Sequence, residues 1–152
     1  RVGWKLVHYF YTNSNQQLAD QLAEQVSKTQ AEGVKIKTRP FIRDAVETRL
    51  RMILPYKEKW PQAMALQTLP PNAVESWENL SKLMDDIWFY AGDRSTDFNW
   101  YTKRASLATV YKSTEIYMIQ DNSDDQMQTW QFLDRRLDDL TGFSSRARNV
   151  SK

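Results

Sequence analysis

Trp130-Gln131-Phe132-Leu133-Asp134-Arg135-Arg136-Leu137-Asp138-Asp139-Leu140 is the stretch on which the fold class turns. Trp130, Leu133, Leu137 and Leu140 follow one another in steps of three, four and three, with charged or amide side chains between them. A half-buried strand would alternate with a period of two, whereas these steps gather four apolar side chains on one face of a helix. Upstream, Ser123 with Gln126 three positions later predicts a capping box, and Gly142 predicts the helix stop.

The same period recurs outward along the chain. Leu107, Val110 or Tyr111, Thr114 and Met118 predict the inner face of a helix over about 97–121, capped by Ser95 or Thr96. Trp77, Leu80, Leu83 or Met84, Ile87, Trp88 and Ala91 predict another, with Asn72 and Glu75 as its capping box and Gly92 as its left-handed stop. Pro70-Pro71 predicts an extended turn before it. Pro55 and Pro61 bracket a short helix through Trp60, Met64 and Leu66. Pro40 suits a first helical turn, where its missing N–H is not needed, and Phe41, Ala45, Val46, Leu50, Ile53 and Leu54 follow as an inner face. Trp4, Val7, Tyr11, Leu18, Leu22 and Val26 mark one long helix, with room for a bend at Asn13-Ser14-Asn15 and a break at Gly33. Six helices with short connections predict an all-α helical bundle, with Phe41, Leu50, Trp77, Trp130, Leu133 and Leu137 inside it.

Composition agrees. The chain has 152 residues, enough for one domain with a real core, and only four Gly and five Pro. Lys and Arg number 21 against 19 Asp and Glu, and no continuous basic block appears, which argues against a nucleic-acid surface. There is no cysteine, hence no disulfide and no thiolate metal site. No apolar run approaches the roughly 20 residues that span a bilayer. The chain opens at Arg1 without an initiator Met or a signal-like stretch, as a piece of a longer precursor would.

Catalytic patterns are missing. The single histidine, His8, leaves no Glu-x-x-His pair for a di-iron bundle and no His-Glu-x-x-His zinc motif. No Gly-x-Ser-x-Gly elbow and no glycine-rich phosphate loop is present, so no catalytic residue, metal ligand or cofactor site is assigned. His8 reads as a hydrogen-bonded, partly buried ring on a helix flank. Asp85-Asp86 and Asp124-Asp125 read as helix charges, because adjacent helical side chains diverge by about 100°.

What is enriched is aromatic and Met content: 19 aromatic residues, six of them Trp, and five Met. Core packing explains most of these, and a cavity between helices is the sharper alternative. Phe98, Trp100 and Tyr101 spread around most of a helix circumference, so one buried face cannot hold all three. Either one ring is shielded by the preceding loop, or Trp, Tyr and Arg104 form an interface hot spot.

Three longer stretches carry a resemblance. Phe41-Ile42-Arg43-Asp44-Ala45-Val46-Glu47-Thr48-Arg49-Leu50-Arg51-Met52, Trp88-Phe89-Tyr90-Ala91-Gly92-Asp93, and Ser95-Thr96-Asp97-Phe98-Asn99-Trp100-Tyr101 resemble signatures of the accessory proteins of mitochondrial ubiquinone synthesis. Tyr111, Thr114-Glu115, Met118, Gln120-Asp121, Phe132-Leu133 and Arg135-Arg136 extend the likeness, which runs from about 41 to 139 with a weaker lead-in over Val7 to Leu18.

The resemblance implies a bundle like the ligand-binding domain of TetR regulators, on the matrix side of the mitochondrial inner membrane. It implies one helical lipid-binding domain over 1–143, with most of the helix-turn-helix region missing, and a polar tail over 144–152. The implied protein is no enzyme. It binds an isoprenoid quinone precursor or a phospholipid and presents it to the di-iron demethoxy-ubiquinone hydroxylase. The family's terminal membrane helix is absent here, and a homodimer stays open. Docking carries over to Asp97, Trp100, Tyr101, Arg104 and Ile87. Met64, Leu69, Met84, Leu107, Tyr111 and Met118 are the expected lipid lining. The alternative is the effector domain of a TetR-type ligand-controlled transcription regulator.

Overall fold

The computed structural model describes the backbone of residues 2–93 and 98–151 and the side chains of 3–93 and 99–140. Six α-helices make the fold: α1 (Val2–Ala31), α2 (Thr38–Arg51), α3 (Trp60–Thr68), α4 (Pro70–Tyr90), α5 (Phe98–Gln120) and α6 (Met127–Ser151). Short 3-10 segments at Leu54–Lys59 and Asp124–Gln126 lead into α3 and α6. Among the described residues there is no strand, and the chain is an all-α bundle. No described helix is long and apolar enough to cross a membrane.

The predicted stripes meet in one core. α1 lies against α4, α2 and α3, while α5 packs on α4 and α6 and α2 reaches α6. Tyr11, Leu18 and Leu22 of α1 are buried, as are Phe41, Ala45, Val46 and Leu50 of α2. Leu107, Val110, Tyr111, Thr114 and Met118 of α5 and Trp130, Leu133 and Leu137 of α6 join them. Each large apolar side chain hidden this way contributes about 1.5–3 kcal/mol, before the entropy of ordering it is subtracted.

Several expectations are corrected. Trp77 is 56% exposed, not core. At that end of α4 the inward face carries polar residues: Trp4 Nε1 donates to Glu75 (2.9 Å), Asn79 Nδ2 sits 3.0 Å from His8 Nδ1, and Ser76 Oγ donates to the Gln67 carbonyl (2.9 Å). Trp77 is turned away from them. Leu140 is 38% exposed, and α6 runs on through Gly142 instead of stopping there.

Neither capping box forms. Leu69 is extended (ψ 138°) and α4 starts on Pro70-Pro71 themselves, whose lost N–H groups cost nothing in a first turn. Asn72 is then inside the helix, donating to the Leu66 carbonyl (2.9 Å). At α6 the reciprocal Ser123–Gln126 pair is replaced by Asp121, which accepts from the Ser123 N–H (2.8 Å) and the Thr129 N–H (3.0 Å). Ser123 Oγ accepts from the Gln128 N–H (3.1 Å). The caps expected at Ser95 or Thr96 lie outside the described residues. α1 stays one helix through Asn13-Ser14-Asn15, because Ser14 and Asn15 are buried and Asn15 Nδ2 donates to the Asn79 carbonyl of α4 (3.0 Å).

Candidate functional site

Two surfaces of the bundle stand out, and the first is the corner where α4 passes into α5. Trp100 (40% exposed) and Tyr101 (58% exposed) present their rings outward from the first turn of α5. Beneath them lies an ion-pair foundation. Arg104 Nε reaches Asp85 Oδ1 (2.9 Å), and its Nη1 reaches both Asp93 Oδ2 (3.0 Å) and the Trp100 carbonyl (3.1 Å). The guanidinium carbon sits 4.6 Å from the centre of the Trp100 ring. Lys103 Nζ binds the other Asp93 oxygen (2.8 Å), and Trp88 Nε1 donates to the Lys103 carbonyl (3.1 Å).

Of the five residues expected at this surface, Trp100 and Tyr101 are presented to solvent. Arg104 is buried as the base that holds Trp100. Ile87 is fully buried and cannot meet a partner, because its side chain falls on the inner α4 stripe with Leu83 and Met84. Asp97 lies outside the described residues. Asp85 and Asp93 were missed: nothing in their spacing shows that both turn toward one arginine nineteen and eleven positions on.

The second surface is an open groove of about 770 Å³ between the first turns of α1, the Leu54–Lys59 segment and α3. Leu6, Val7, Phe10, Met52, Tyr56 and Trp60 supply its apolar lining. Phe10 is fixed edge-on against both Tyr56 and Trp60, with ring centres 5.3 Å apart in each pair. Gly3 lets α1 come close to α3 here, since a Cβ on it would meet Leu66 Cδ1 at 3.3 Å.

None of the six residues expected to line a lipid cavity lines this groove. Met84, Leu107, Tyr111 and Met118 are packed into the core, Met64 is half-buried against it, and Leu69 is 44% exposed. The reason is geometric. The central helices pack directly on one another, and the gap opens where two prolines keep the 3-10 segment and α3 from continuing α2.

Behind the floor of the groove lies a buried polar group that sequence spacing did not single out. Arg49 of α2 and Glu115 of α5 are both fully buried. Arg49 Nε donates to Asn15 Oδ1 (3.0 Å), and its guanidinium carbon stacks 4.5 Å from the Tyr11 ring centre. Glu115 accepts from Trp60 Nε1 (2.6 Å), and Lys112 Nζ lies 2.8 Å from its other oxygen without hydrogen-bond alignment. Burial pushes the Tyr11 and Tyr111 phenols up, so both stay protonated. A signal existed: Arg49 stands on the apolar stripe of α2, where a charge needs a reason.

Neither acidic pair holds a common site. Asp85 binds Arg104 while Asp86 binds Lys82 (2.8 Å), and Asp125 pairs with Arg51 (3.0 Å). Among the described residues no group of His, Asp and Glu is arranged for a metal ion.

Residues 73–144 match the family model described as COQ9. The chain is 47% identical over 149 residues to the mitochondrial ubiquinone biosynthesis protein COQ9 of Rattus norvegicus, covering 97% of this chain and 48% of that protein. Against the Homo sapiens protein of the same name the identity is 46%, over 97% of this chain and 47% of that protein. A probable ubiquinone biosynthesis protein of Dictyostelium discoideum is 37% identical over 137 residues, covering 90% of this chain and 45% of that protein. The chain thus spans about half the length of the curated relatives it matches. The family model overlies most of α4, all of α5 and the exposed Trp100–Tyr101 corner, and the similarity runs on across the helices of the groove: the chain belongs to the COQ9 family.

Proposed function

We propose that this chain works without catalytic chemistry of its own in mitochondrial ubiquinone biosynthesis, holding a long-chain lipid and presenting it to a partner enzyme. The observation that carries the reading is the open apolar groove of about 770 Å³, a size within the usual range of ligand sites. Its walls are mainly aromatic and aliphatic side chains with Met52, while Asn13, Ser14, Gln17, Lys59 and Gln62 add polar groups. This mostly apolar lining suits an isoprenoid or acyl tail more than a small polar substrate. The relatives' names support the pathway and the organelle. The family resemblance supports an isoprenoid quinone precursor as cargo, the matrix side of the inner membrane as the place, and the demethoxy-ubiquinone hydroxylase as the receiver.

The α4–α5 corner is the proposed docking face. Trp100 and Tyr101 bring large contact area with few rotamers to lose, and hot-spot rings of this kind commonly cost about 2 kcal/mol or more when truncated. Trp100→Ala or Tyr101→Ala therefore weakens binding to the purified hydroxylase about 30-fold, at about 1.4 kcal/mol per decade. Calorimetry gives the affinity and circular dichroism checks that the bundle is intact. Unchanged affinity in a folded variant refutes the docking face. Mass spectrometry of organic extracts tests the cargo: a quinone precursor supports the carrier, and an empty extract refutes it.

A further inference from the structure

Arg49 is a cation in the wrong place for packing alone. It is fully buried, one of its five N–H donors goes to Asn15, and among the described residues Nη1 and Nη2 have no hydrogen-bond partner. Glu115 does not answer it, since Trp60 and Lys112 hold the two oxygens of that carboxylate and no Arg49–Glu115 ion pair forms. The Tyr111 hydroxyl, in the same cluster, is buried with only the Tyr11 phenol beside it. A guanidinium whose bidentate edge has no hydrogen-bond partner is suited to two acceptor oxygens in one plane, as a carboxylate or a phosphate provides.

The cluster adjoins the groove through two side chains. Phe10 lines the groove and has its ring 5.8 Å from the Arg49 guanidinium carbon, and Trp60 lines the groove while donating to Glu115. One layer of side chain separates the apolar surface from unpartnered donors. We propose that the groove is the tail half of an amphiphile site, and that an anionic two-oxygen head passes Phe10 to accept from Arg49 Nη1 and Nη2 and from the Tyr111 hydroxyl. This rests on the groove being a lipid site, not on a neutral quinone as its cargo, and it adds the chemistry of the head. An acid or phosphate is selected over an alcohol with the same tail.

The test compares dodecanoate, dodecyl phosphate and dodecanol, all below their micellar concentrations, by calorimetry on the purified protein. At least one of the two anions is expected to bind tenfold or more tightly than dodecanol, and the relative order of the anions separates a carboxylate head from a phosphate head. Arg49→Met is expected to bind the anions and the alcohol alike, with its helical content unchanged, and Tyr111→Phe to lose part of the preference. Equal binding of all three probes to the parent protein overturns the head site and leaves the groove standing. A preference that survives in folded Arg49→Met also overturns it. Binding of none of the probes overturns the groove and the head site together. The comparison on the parent protein needs no variant to fold.

Discussion

Two buried polar clusters meet α5, one around Tyr111 and Glu115 and one at its end around Asp121, and they are finished differently. At the α5–α6 turn, Asp121 accepts from the Thr129 hydroxyl (2.7 Å), the Ser123 hydroxyl (2.9 Å) and two backbone N–H groups. Gln126 closes the rest, donating to the Met118 carbonyl (3.2 Å) while accepting from Lys57 Nζ (2.7 Å). Between α1, α2 and α5, Arg49 keeps two nitrogens without a hydrogen-bond partner. A closed cluster is architecture: it ends one helix and starts the next. The open one leaves donors unused, and whether the fold needs it is the difference to probe.

The largest expected effect is at the closed cluster. Asp121→Ala strips the acceptor from five donors between α5 and α6 and should cost about 3 kcal/mol of unfolding free energy by urea titration. A loss under about 1 kcal/mol would mean that water replaces the carboxylate freely, and the two clusters would no longer differ in kind.

Protonation perturbs the same carboxylate more gently. Burial raises the Asp121 carboxyl, but the bonds from Thr129 and Ser123 outweigh that and hold it at about 2, against an ordinary 3.8. Its folded value is the lower one, so the unfolded chain binds more protons and stability rises with pH across this interval. The contribution is complete above about pH 5 and drains as the pH falls through about 2. Urea titrations at descending pH should show a steeper acid loss in the parent than in Asp121→Asn, and parallel curves would refute the assignment.

Trp60→Phe should come next, at about 2 kcal/mol, because it removes the indole donor to buried Glu115 and leaves a small void. Trp60 joins both halves of the comparison, since it walls the groove and also satisfies the core carboxylate. The same variant should therefore weaken binding of dodecyl probes measurably. A stability loss with unaltered binding would separate the groove from the cluster behind it.

Sequence made the helices legible because most stripes were long and every break except the Asp121–Gln126 turn carried a Gly or Pro. Phe41, Leu50, Trp130, Leu133 and Leu137 went where their spacing put them. Trp77 did not, since periodicity counts apolar residues and could not show that Glu75, Ser76 and Asn79 would satisfy partners on α1 and α3. Trp100 and Tyr101 were legible as more aromatic surface than one face can bury. The groove was not, because it is a gap between a 3-10 segment and two helices, and gaps have no period. Arg49 sat in plain view inside the Phe41–Met52 motif. What spacing could not tell is that Glu115, the fully buried carboxylate of α5, would pair with Trp60 and Lys112 instead.

The smallest expected effect carries the comparison furthest. Arg49→Met keeps an unbranched side chain that can fill the same channel. The substitution forfeits the stack on Tyr11 and the bond to Asn15 Oδ1, each worth about 1 kcal/mol. Asn15 keeps its second bond, to the Asn79 carbonyl. Against these losses stands release of a buried charge whose desolvation is met by one hydrogen bond, and replacing such charges by apolar groups is often neutral or stabilising. The terms nearly cancel, so the unfolding free energy of Arg49→Met should lie within about 1 kcal/mol of the parent. Arg49→Ala removes the packing as well and should be worse than Arg49→Met, which separates the stem from the charge. Chemical denaturation of both variants decides it. If Arg49→Met loses about 3 kcal/mol, as Asp121→Ala is expected to, then the guanidinium is part of the architecture and the two clusters are one kind. If it is neutral, the fold carries a buried cation that it does not need for stability.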